Sequence, residues 1–327
     1  MKEKIKIGIL GYGNLGKGVE QAIKYNDDMV LVAIFTRRNP NSIKTFTNVP
    51  VISSSDIEKW KDKIDVLILC GGSATDLPVQ TPKYAKMFNV IDSFDTHAMI
   101  YEHFNKVNSS SIEGDKVSLI SCGWDPGLFS LNRLMSECIL PNGNTYTFWG
   151  KGVSQGHSDA IRRIEGVKYA IQYTIPIQES ITKVRNGDNP ILSPRQKHLR
   201  ECYVVLCNDS NKQRVEKQIK EMPYYFDEYD TIVHFISEEE FKKNHTKMPH
   251  GGFVIRSGKT GNNNKQVIEY SLNLDSNPEF AANVIIAYSR ALFKLYNNGT
   301  RGALTIFDIP PRLLTTKTND ELLNNYL

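Results

Sequence analysis

Short hydrophobic runs alternate with amphipathic stretches over the first 122 residues. The runs have the length and the Ile/Val/Leu content of buried strands. They predict six strands, at Ile5–Leu10, Met29–Phe35, Val49–Ile52, Ile64–Cys70, Asn89–Asp92 and Val117–Ser121. Apolar positions at helical spacing lie between them, in Leu15–Tyr25, Pro78–Phe88 and Ala98–Ser110. This alternation predicts a doubly wound α/β domain, in which helices cover both faces of a parallel sheet.

The order of predicted elements changes after residue 122, where strands follow one another with fewer helices between them. The expected strands are Thr145–Trp149, Tyr169–Ile177, Arg200–Cys207, Thr231–Ile236, Phe253–Arg256 and Val267–Leu274. The pattern predicts a second domain over residues 123–277, an α+β domain built on a mixed or antiparallel sheet with helices on one side.

The C-terminal segment carries one long helical stripe. Apolar residues recur at helical spacing over Pro278–Asn297, and Gly299 marks a helix stop shortly after. We expect this helix to return to the first domain, so that residues 278–327 complete residues 1–122. The polar tail after Thr315 is expected to be weakly ordered at its end.

Composition narrows the class of protein. Forty basic and 36 acidic residues leave a net charge of +4 without a long block of one sign, which argues against a dedicated nucleic-acid surface. The longest apolar run, Met29–Phe35, is far shorter than a membrane span of roughly 20 residues, so we expect a cytoplasmic protein without membrane contact. Five scattered cysteines without CxxC spacing favour reduced thiols over disulfides or a metal site.

A glycine-rich turn after the first strand is the first candidate site. Gly11-Tyr12-Gly13-Asn14-Leu15-Gly16 has the GxGxxG spacing that, between a strand and a helix, cradles a dinucleotide pyrophosphate in a Rossmann domain. A mere tight turn is the alternative. The second strand runs into Thr36-Arg37-Arg38, where NAD sites usually carry an acid. Two guanidiniums and a hydroxyl suit a 2′-phosphate, so the sequence predicts NADP, with two solvated arginines as the alternative.

Two further segments follow strands of the same sheet. In Cys70-Gly71-Gly72-Ser73, small residues would let the backbone lie against the cofactor, unless they form only a tight turn. Asp95 and Asp125 follow the fifth and sixth strands, and ligands of such sheets bind beyond the carboxyl ends of the strands. The two carboxylates could therefore converge near the nicotinamide. Helix capping is the alternative for both, with Pro126 at the first helical position after Asp125.

Seven runs of the sequence resemble the meso-2,6-diaminopimelate dehydrogenase family. They span nearly the whole chain, and the block FWGKGVSQGHSDAIRRIEGV is distinctive. The runs are Gly11–Glu20, Phe35–Arg38, Gly71–Ala85, Ser93–His97, Gly123–Arg133, Phe148–Val167 and Met248–Gly252. The resemblance implies reversible, NADP-dependent oxidative deamination of the D-centre of meso-2,6-diaminopimelate to L-2-amino-6-oxopimelate, ammonia and NADPH, in lysine and peptidoglycan precursor synthesis. It also implies a homodimer.

The resemblance assigns roles residue by residue. Asp95 and Asp125 would be the catalytic pair that holds the reacting amine. The other implied substrate contacts are Trp149, Gln155 and Gly156 near that amine and Thr174, Arg200, His250 and Asn277 at the distant L-centre. With the turns described above, the expected cofactor contacts are Gly11, Tyr12, Gly13, Asn14, Leu15, Gly16, Thr36, Arg37, Arg38, Cys70, Gly71, Gly72, Ser73, Ser93, Phe94, Cys122, Gly123, Trp124 and Pro126. No residue is assigned to a metal.

The chemistry of these residues agrees with such a substrate. A diamino diacid needs anionic groups at one point and a guanidinium at another, which Asp95 with Asp125 and Arg200 would supply. The amine must also lose a proton before hydride leaves, although no lysine or tyrosine stands out as a sole base.

Structural alternatives exist for the four residues assigned to the L-centre. Thr174 could be an ordinary strand residue, Arg200 half of a surface ion pair, His250 a loop hydrogen-bonder and Asn277 a helix N-cap. Two other functions also fit the pattern: another two-domain NADP-dependent reductase of the aspartate and lysine pathway, or a non-catalytic NADP-sensing protein. The aspartate pair together with Arg200 argues against the sensor.

Overall fold

The computed structural model of this protein describes residues 4–208 and 210–327. It divides into two compact units, one from Met1–Leu131 (described from residue 4) and Pro278–Leu327, the other from Asn132–Asn277. The predicted fold class is confirmed, with a doubly wound parallel sheet in the first unit and an α+β arrangement in the second. The roles given to the two domains stay predictions.

The strands largely follow the sequence prediction, with ends that differ by a few residues. In chain order they are β1 (Ile5–Leu10), β2 (Met29–Thr36), β3 (Val51–Ser53), β4 (Val66–Leu69), β5 (Val90–Asp92), β6 (Val117–Leu119), β7 (Gly143–Trp149), β8 (Gly152–Val153), β9 (Val167–Pro176), β10 (His198–Leu206), β11 (Asp230–Phe235), β12 (His250–Thr260), β13 (Asn264–Leu274) and β14 (Gly302–Leu304). The sequence missed β8 and β14, because two or three residues carry no periodicity of their own.

The helices vary more in length. They are α1 (Asn14–Ile23), α2 (Leu77–Ala85), α3 (Ile100–Glu113), α4 (Leu128–Ile139), α5 (Gln155–Arg162), α6 (Gln178–Arg185), α7 (Pro194–Lys197), α8 (Lys212–Lys220), α9 (Glu238–Asn244), α10 (Asn277–Asn297) and α11 (Asn319–Tyr326). Short 3-10 turns lie at Pro40–Ser42, Ser54–Trp60, His97–Met99, Ile306–Asp308 and Pro311–Leu313. Within the described residues, no helix combines the length and apolarity that crossing a membrane requires.

Seven parallel strands form the sheet of the first unit, in the order β14-β6-β5-β4-β1-β2-β3. On one face, Val19 of α1 and Ile285 of α10 are buried in the core formed with β1. On the other face, Leu77 of α2 and Val107 of α3 are buried in a separate core. The expected return of the C-terminal helix to the first domain is confirmed, since burial of its apolar stripe stabilises the fold there.

The tail beyond this helix is more ordered than expected. Thr318 and Glu321 form a reciprocal capping box at the start of α11, in which Thr318 accepts from the Glu321 amide and the Glu321 carboxylate accepts from Thr318. The expectation of a weakly ordered end is wrong because a good cap supplies partners for the first amides of even an exposed helix.

The second unit has two sheets where one was expected. Strands β8, β9 and β10 pair antiparallel and β11 adds parallel to β10, while β7, β12 and β13 form a separate antiparallel sheet. Helices α5 and α8 cover the first sheet through Ile161 and Val215. Helix α6 covers the second through Ile181 and Val184. Each sheet therefore has its own apolar core, and polar side chains are left for the remaining surfaces.

Candidate active site

The glycine-rich turn has the geometry that an anion site needs. Gly11 lies in the left-handed region, at φ 96°, and its amide donates to Phe35 O over 2.9 Å. A Cβ at Gly16 would lie 2.2 Å from Gly11 O, whereas a Cβ at Gly13 would meet no atom within 4 Å. Helix α1 begins after Gly13 without a side-chain cap and without an acid in its first turn. The residues therefore fit a pyrophosphate at the positive end of the helix.

Tyr12, in the middle of this turn, is oriented inward. Its side chain is buried, and its hydroxyl donates to Glu20. Burial and the neighbouring Glu20 carboxylate together raise the pKa of Tyr12. Because its carbonyl also accepts from Arg38 Nη2 over 2.6 Å, the contact left for Tyr12 to offer a cofactor is through its amide.

The end of β2 presents two tethered arginines. Arg37 makes a two-point ion pair with Asp76, with Nη1 2.8 Å from Oδ1 and Nη2 3.0 Å from Oδ2. Asp76 Oδ2 also accepts from the Gly72 amide over 2.9 Å, which links the two predicted cofactor loops. The buried hydroxyl of Thr36 accepts from the Arg38 amide. Both guanidiniums are exposed, as the alternative supposed, but each is held in place.

The loops after β5 and β6 carry the two predicted catalytic aspartates. Asp95 is exposed, its amide donates to Ser73 Oγ over 2.8 Å, and within residues 4–208 and 210–327 its carboxylate has neither a hydrogen bond nor an ion pair. Asp125 is half-buried in the turn closed by the Trp124–Gly127 bridge. Asp95 does not cap a helix, because the 3-10 turn at His97–Met99 has Thr96 as its cap, so the capping alternative is wrong for this residue. Asp125 lies three residues before the start of α4 at Leu128.

Several of the predicted cofactor contacts have buried side chains. Phe94 stacks on His103 with a 4.1 Å centroid separation, and Trp124 packs edge-on against Phe129. Burial, and then the Asp92 charge, hold the pKa of the Cys122 thiol well above its usual range, so it is not a nucleophile at neutral pH. These residues would meet a cofactor mainly through their backbones.

In the second unit, Arg200 is a buried cation that no carboxylate among the described residues neutralises. It lies on β10 opposite Thr174 of β9 and Thr231 of β11. The residue is 7% exposed, Nη1 donates to Thr174 Oγ1, and the Tyr229 ring centre lies 3.9 Å from its Cζ. Its Nε has no hydrogen-bond partner, and no described carboxylate forms an ion pair with it. The surface-ion-pair alternative is therefore wrong.

The surroundings of Arg200 add no compensating charge. Burial lowers the pKa of both His157 and His198 to about 3, with repulsion from Arg200 as the next cause. Both imidazoles are thus neutral at pH 7. Gln172 Oε1 and Thr231 Oγ1 are buried nearby in the same strands without a partner. Because a buried charge and buried polar atoms are costly when unpaired, the Arg200 Nε–H and the Thr231 hydroxyl, which can donate, fit a ligand carboxylate, and Gln172 Oε1, which can only accept, fits a ligand N–H group.

The other predicted substrate contacts gather around one loop of the same unit. Gln155, exposed at the start of α5, donates to Met248 Sδ, and Met248 O accepts from the Asn277 amide over 2.9 Å. Asn277 is itself the first residue of α10, at the position where the N-cap alternative also placed it. Next along the loop, the His250 ring leaves no room for a Cβ at Gly152, which would approach it to 2.5 Å.

Trp149 and Gly156 complete the predicted substrate set. The Trp149 amide donates to His198 Nε2 over 2.8 Å, and its indole stacks on that imidazole at 5.3 Å. Gly156 is exposed, and a Cβ there would meet no atom within 4 Å. The predicted substrate contacts of the second unit thus lie on β7, the start of α5, the β9–β10 pair, the Met248–Gly252 segment and the first residue of α10.

The sequence did not reveal the residues that hold the predicted site residues in place. Asp76 lies within the run Gly71–Ala85, yet nothing in the spacing pairs it with Arg37. Asp92 and Thr231 end or open strands, where polar residues are common. Only the cross-strand register places Thr231 beside Arg200, so no local pattern could have found it.

Comparison with known proteins matches this chain to a family of dehydrogenases over almost its whole length. The family described as "Diaminopimelic acid dehydrogenase C-terminal domain" matches residues 123–276. The meso-diaminopimelate D-dehydrogenase of Ureibacillus thermosphaericus is 61% identical over 324 residues, which cover 99% of each chain. The protein of that name from Acetivibrio thermocellus is 60% identical over 328 residues, covering 99% of this chain and 98% of the relative.

Solved structures agree in fold over the full length. A Clostridium tetani meso-diaminopimelate dehydrogenase mutant with DAP has a TM-score of 0.95 and 54% identity, covering 99% of this chain and 100% of that one. Corynebacterium glutamicum DAP dehydrogenase in complex with DAP gives 0.93 and 42%, with 99% of both chains covered. An engineered D-amino acid dehydrogenase bound to NADP+ gives 0.88 and 41%, covering 99% and 100%.

Proposed function

This chain belongs to the meso-diaminopimelate dehydrogenase family, and we propose that Asp95, Asp125 and Arg200 are the centre of its active site. The protein is an NADP-dependent oxidoreductase. It oxidatively deaminates the D-centre of meso-2,6-diaminopimelate to L-2-amino-6-oxopimelate, ammonia and NADPH, in a reversible step of lysine and peptidoglycan precursor synthesis. The observation that carries the proposed site is Arg200, a buried guanidinium with an unpartnered Nε.

Arg200 is the proposed anchor for the carboxylate at the L-centre. Its free Nε, together with the adjoining NH₂ group, offers the two parallel donors that bind a carboxylate. Support comes from the Clostridium tetani protein, which was solved with DAP as a mutant carrying six substitutions. Those residues match this chain in type and mutual spacing at Gln155, Thr174, Arg200, Pro249, His250 and Asn277.

Asp95 and Asp125 are proposed to hold the reacting ammonium of the D-centre. The Asp95 carboxylate is exposed and has no partner among the residues that the structure describes, so it can bind an ammonium without first giving up one of them. The amine must lose a proton before its carbon gives up a hydride, and a carboxylate in contact with it is the nearest acceptor. Selectivity for the D-centre then follows from geometry, because a substrate anchored at its L-end presents the other Cα–H in one configuration only.

The cofactor contacts are also proposals. NADP, when bound, supplies the nicotinamide ring that accepts the hydride. The open N-terminus of α1 would bind its pyrophosphate, and Thr36, Arg37 and Arg38 would bind its 2′-phosphate. Asp76 supports this by holding the Arg37 guanidinium at both nitrogens while leaving it exposed.

Neutralising the two arginines is expected to change cofactor preference. Arg37→Gln/Arg38→Gln should raise the KM for NADP about 30-fold or more, since each lost charge-assisted hydrogen bond costs about 1 kcal/mol or more. The KM for NAD should change less than threefold. Steady-state kinetics with both cofactors measures this, and Arg301→Gln, which breaks the exposed pair with Asp115 in the same unit, is the control. Equal effects on the two cofactors would contradict a 2′-phosphate role.

The substrate is tested by isomer and by length. We expect NADP reduction with meso-diaminopimelate, none with the LL isomer, and weak turnover at best with simple D-amino acids that cannot reach Arg200. The stoichiometry of NADPH, ammonia and the cyclised product checks the reaction. Turnover of a dihydrodipicolinate-like ring instead would favour the reductase, and NADP binding without amino-acid-dependent reduction would favour the sensor.

A cytoplasmic homodimer is the proposed form of the protein. Its support is the resemblance together with β13, whose side chains are largely exposed along an edge of the three-stranded sheet. Edge strands of this length commonly need cover. The mass of the native protein in solution decides the oligomeric state.

A further inference from the structure

We propose that Asp92 is the positioning residue for the two catalytic aspartates, an inference that rests on the proposed function of Asp95 and Asp125. Asp92 is the last residue of β5, and it is fully buried. Neither the substrate nor the cofactor role given to neighbouring residues uses it. Its carboxylate is nevertheless extensively hydrogen-bonded.

Asp92 accepts four hydrogen bonds through its carboxylate. Oδ1 accepts from the amides of Phe94 over 3.0 Å and Ser121 over 2.9 Å. Oδ2 accepts from Thr81 Oγ1 and from His103 Nε2, each over 2.7 Å. Four donors from four different segments thus converge on one buried carboxylate.

The two amides on Oδ1 belong to two different loops. Phe94 immediately precedes Asp95, and Ser121 leads through Cys122 to Asp125. The backbone carbonyl of Asp92 accepts from the Cys122 amide as well, over 2.8 Å. One residue therefore joins the loops that carry the two aspartates, just beyond the point where β5 and β6 stop pairing.

Ser121 shows why this junction must be held. Its φ of 54° lies in the left-handed region, which a residue with a Cβ adopts only at a cost in free energy. The hydrogen bond from its amide to Asp92 offsets that cost. The turn that leads to Asp125 thus depends on the side chain of Asp92, which is 29 residues away from Ser121 in the sequence, and not on local sequence preference.

The outer partners keep the carboxylate itself in place. His103 Nε2 donates to Oδ2 while the imidazole stacks against the Phe94 ring, and Thr81 donates from α2. Side chains from α2 and α3 thus hold the Asp92 carboxylate, and this carboxylate in turn holds the loops after β5 and β6. In such an arrangement a displacement of the carboxylate moves both aspartates at once.

Asp92→Ala and Asp92→Asn test the proposal. A displacement of a catalytic group by about 1 Å can lower the rate about 100-fold. We expect kcat of Asp92→Ala to fall by at least this factor. Asparagine keeps a carbonyl for the two amides, and its NH₂ can donate to Thr81 and to the other His103 tautomer, so Asp92→Asn should lose only about three- to tenfold. The Kd for NADP should rise less than kcat falls, because the pyrophosphate turn and the Thr36–Arg38 segment are not bonded to Asp92, whereas the Phe94 and Cys122 backbones are.

A purely structural role is separated by a control and an isotope effect. Asp28→Asn removes a carboxylate bonded to Arg290 in the same unit and should lower the melting temperature without lowering turnover per folded molecule. In the Asp92 variants, the isotope effect on kcat with substrate deuterated at the D-carbon should rise, because the hydride step becomes slower. Activity that merely follows the folded fraction, as in Asp28→Asn, would overturn the proposal.

Every outcome is decisive. Asp92→Asn decides the question whether or not Asp92→Ala folds. A kcat for Asp92→Asn within twofold of the parent, together with an unchanged isotope effect, would overturn the proposal. A parent protein that fails to oxidise diaminopimelate would instead refute the proposed function. An active parent with unaffected variants would refute only the role of Asp92.

Discussion

Arg200→Met is expected to lower kcat/KM for meso-diaminopimelate by about 30- to 4000-fold while leaving the melting temperature equal to or above that of the parent. The loss corresponds to about 2–5 kcal/mol, the usual cost of truncating one partner of a buried, hydrogen-bonded charge pair. The missing partner here is the substrate carboxylate, so KM should carry most of the effect. The Kd for NADP should not change.

The stability half of this prediction follows from the same contacts. In the free protein the guanidinium is buried, its Nε is unpartnered, and burial lowers the pKa of Arg200. A methionine of similar length removes that desolvated charge and loses one hydrogen bond to Thr174 and the contact with the Tyr229 ring. Replacing poorly compensated buried charge with apolar volume is often neutral or stabilising.

Arg256→Met is the matched control for Arg200→Met. Arg256 is also buried in the second unit, but it donates to Leu140 O, Pro141 O and Thr145 Oγ1 over 2.8–3.0 Å. Its removal should lower the melting temperature, because it takes away the hydrogen-bond partner of Leu140 O, at about 1–3 kcal/mol, and leaves Pro141 O with the Gly143 amide alone. Substrate KM should stay within twofold. The reverse result, with Arg200→Met the destabilised variant and KM unchanged, would make Arg200 a structural residue.

The sequence predicted what local pattern and chain order determine. The run Ile5–Leu10 and the stripe over Pro278–Asn297 give the ends of β1 and α10 to within a residue, since buried strands and long helices repeat their pattern. The glycine-rich turn was equally visible, because its backbone conformation and its tight contact with α1 leave little choice of residue type.

Pairings between distant segments could not be predicted in this way. Arg37 and Asp76 are 39 residues apart, and Asp92 bonds to Ser121 across 29. The strand β14 forms only because β6 offers an edge to Gly302–Leu304. For Arg200, the residues alone left a surface ion pair open, and only the register with Thr174 and Thr231 shows a buried cation that lacks an anion.

Removing the charge of either catalytic aspartate is expected to cost about 10- to 150-fold in kcat/KM. Asp95→Asn and Asp125→Asn each lose a charge-assisted contact to the substrate ammonium, worth about 1.5–3 kcal/mol. The double variant should lose less than the product of the two, because both side chains act on one amine. Steady-state kinetics with meso-diaminopimelate, at saturating NADP, measures all three variants.

The stability of these variants separates binding of the substrate from a structural role. A lost helix cap would cost about 1 kcal/mol, but α3 and α4 begin beyond both residues, so Asp95→Asn should melt at the parental temperature. Asp56→Asn, in the turn Ser54–Trp60, changes the net charge equally and is the control for long-range electrostatics. Parental kcat/KM in Asp95→Asn and Asp125→Asn would mean that the ammonium is held elsewhere. In that case Arg200 would still anchor the distant carboxylate, and the reacting amine would have to be traced from that end of the substrate.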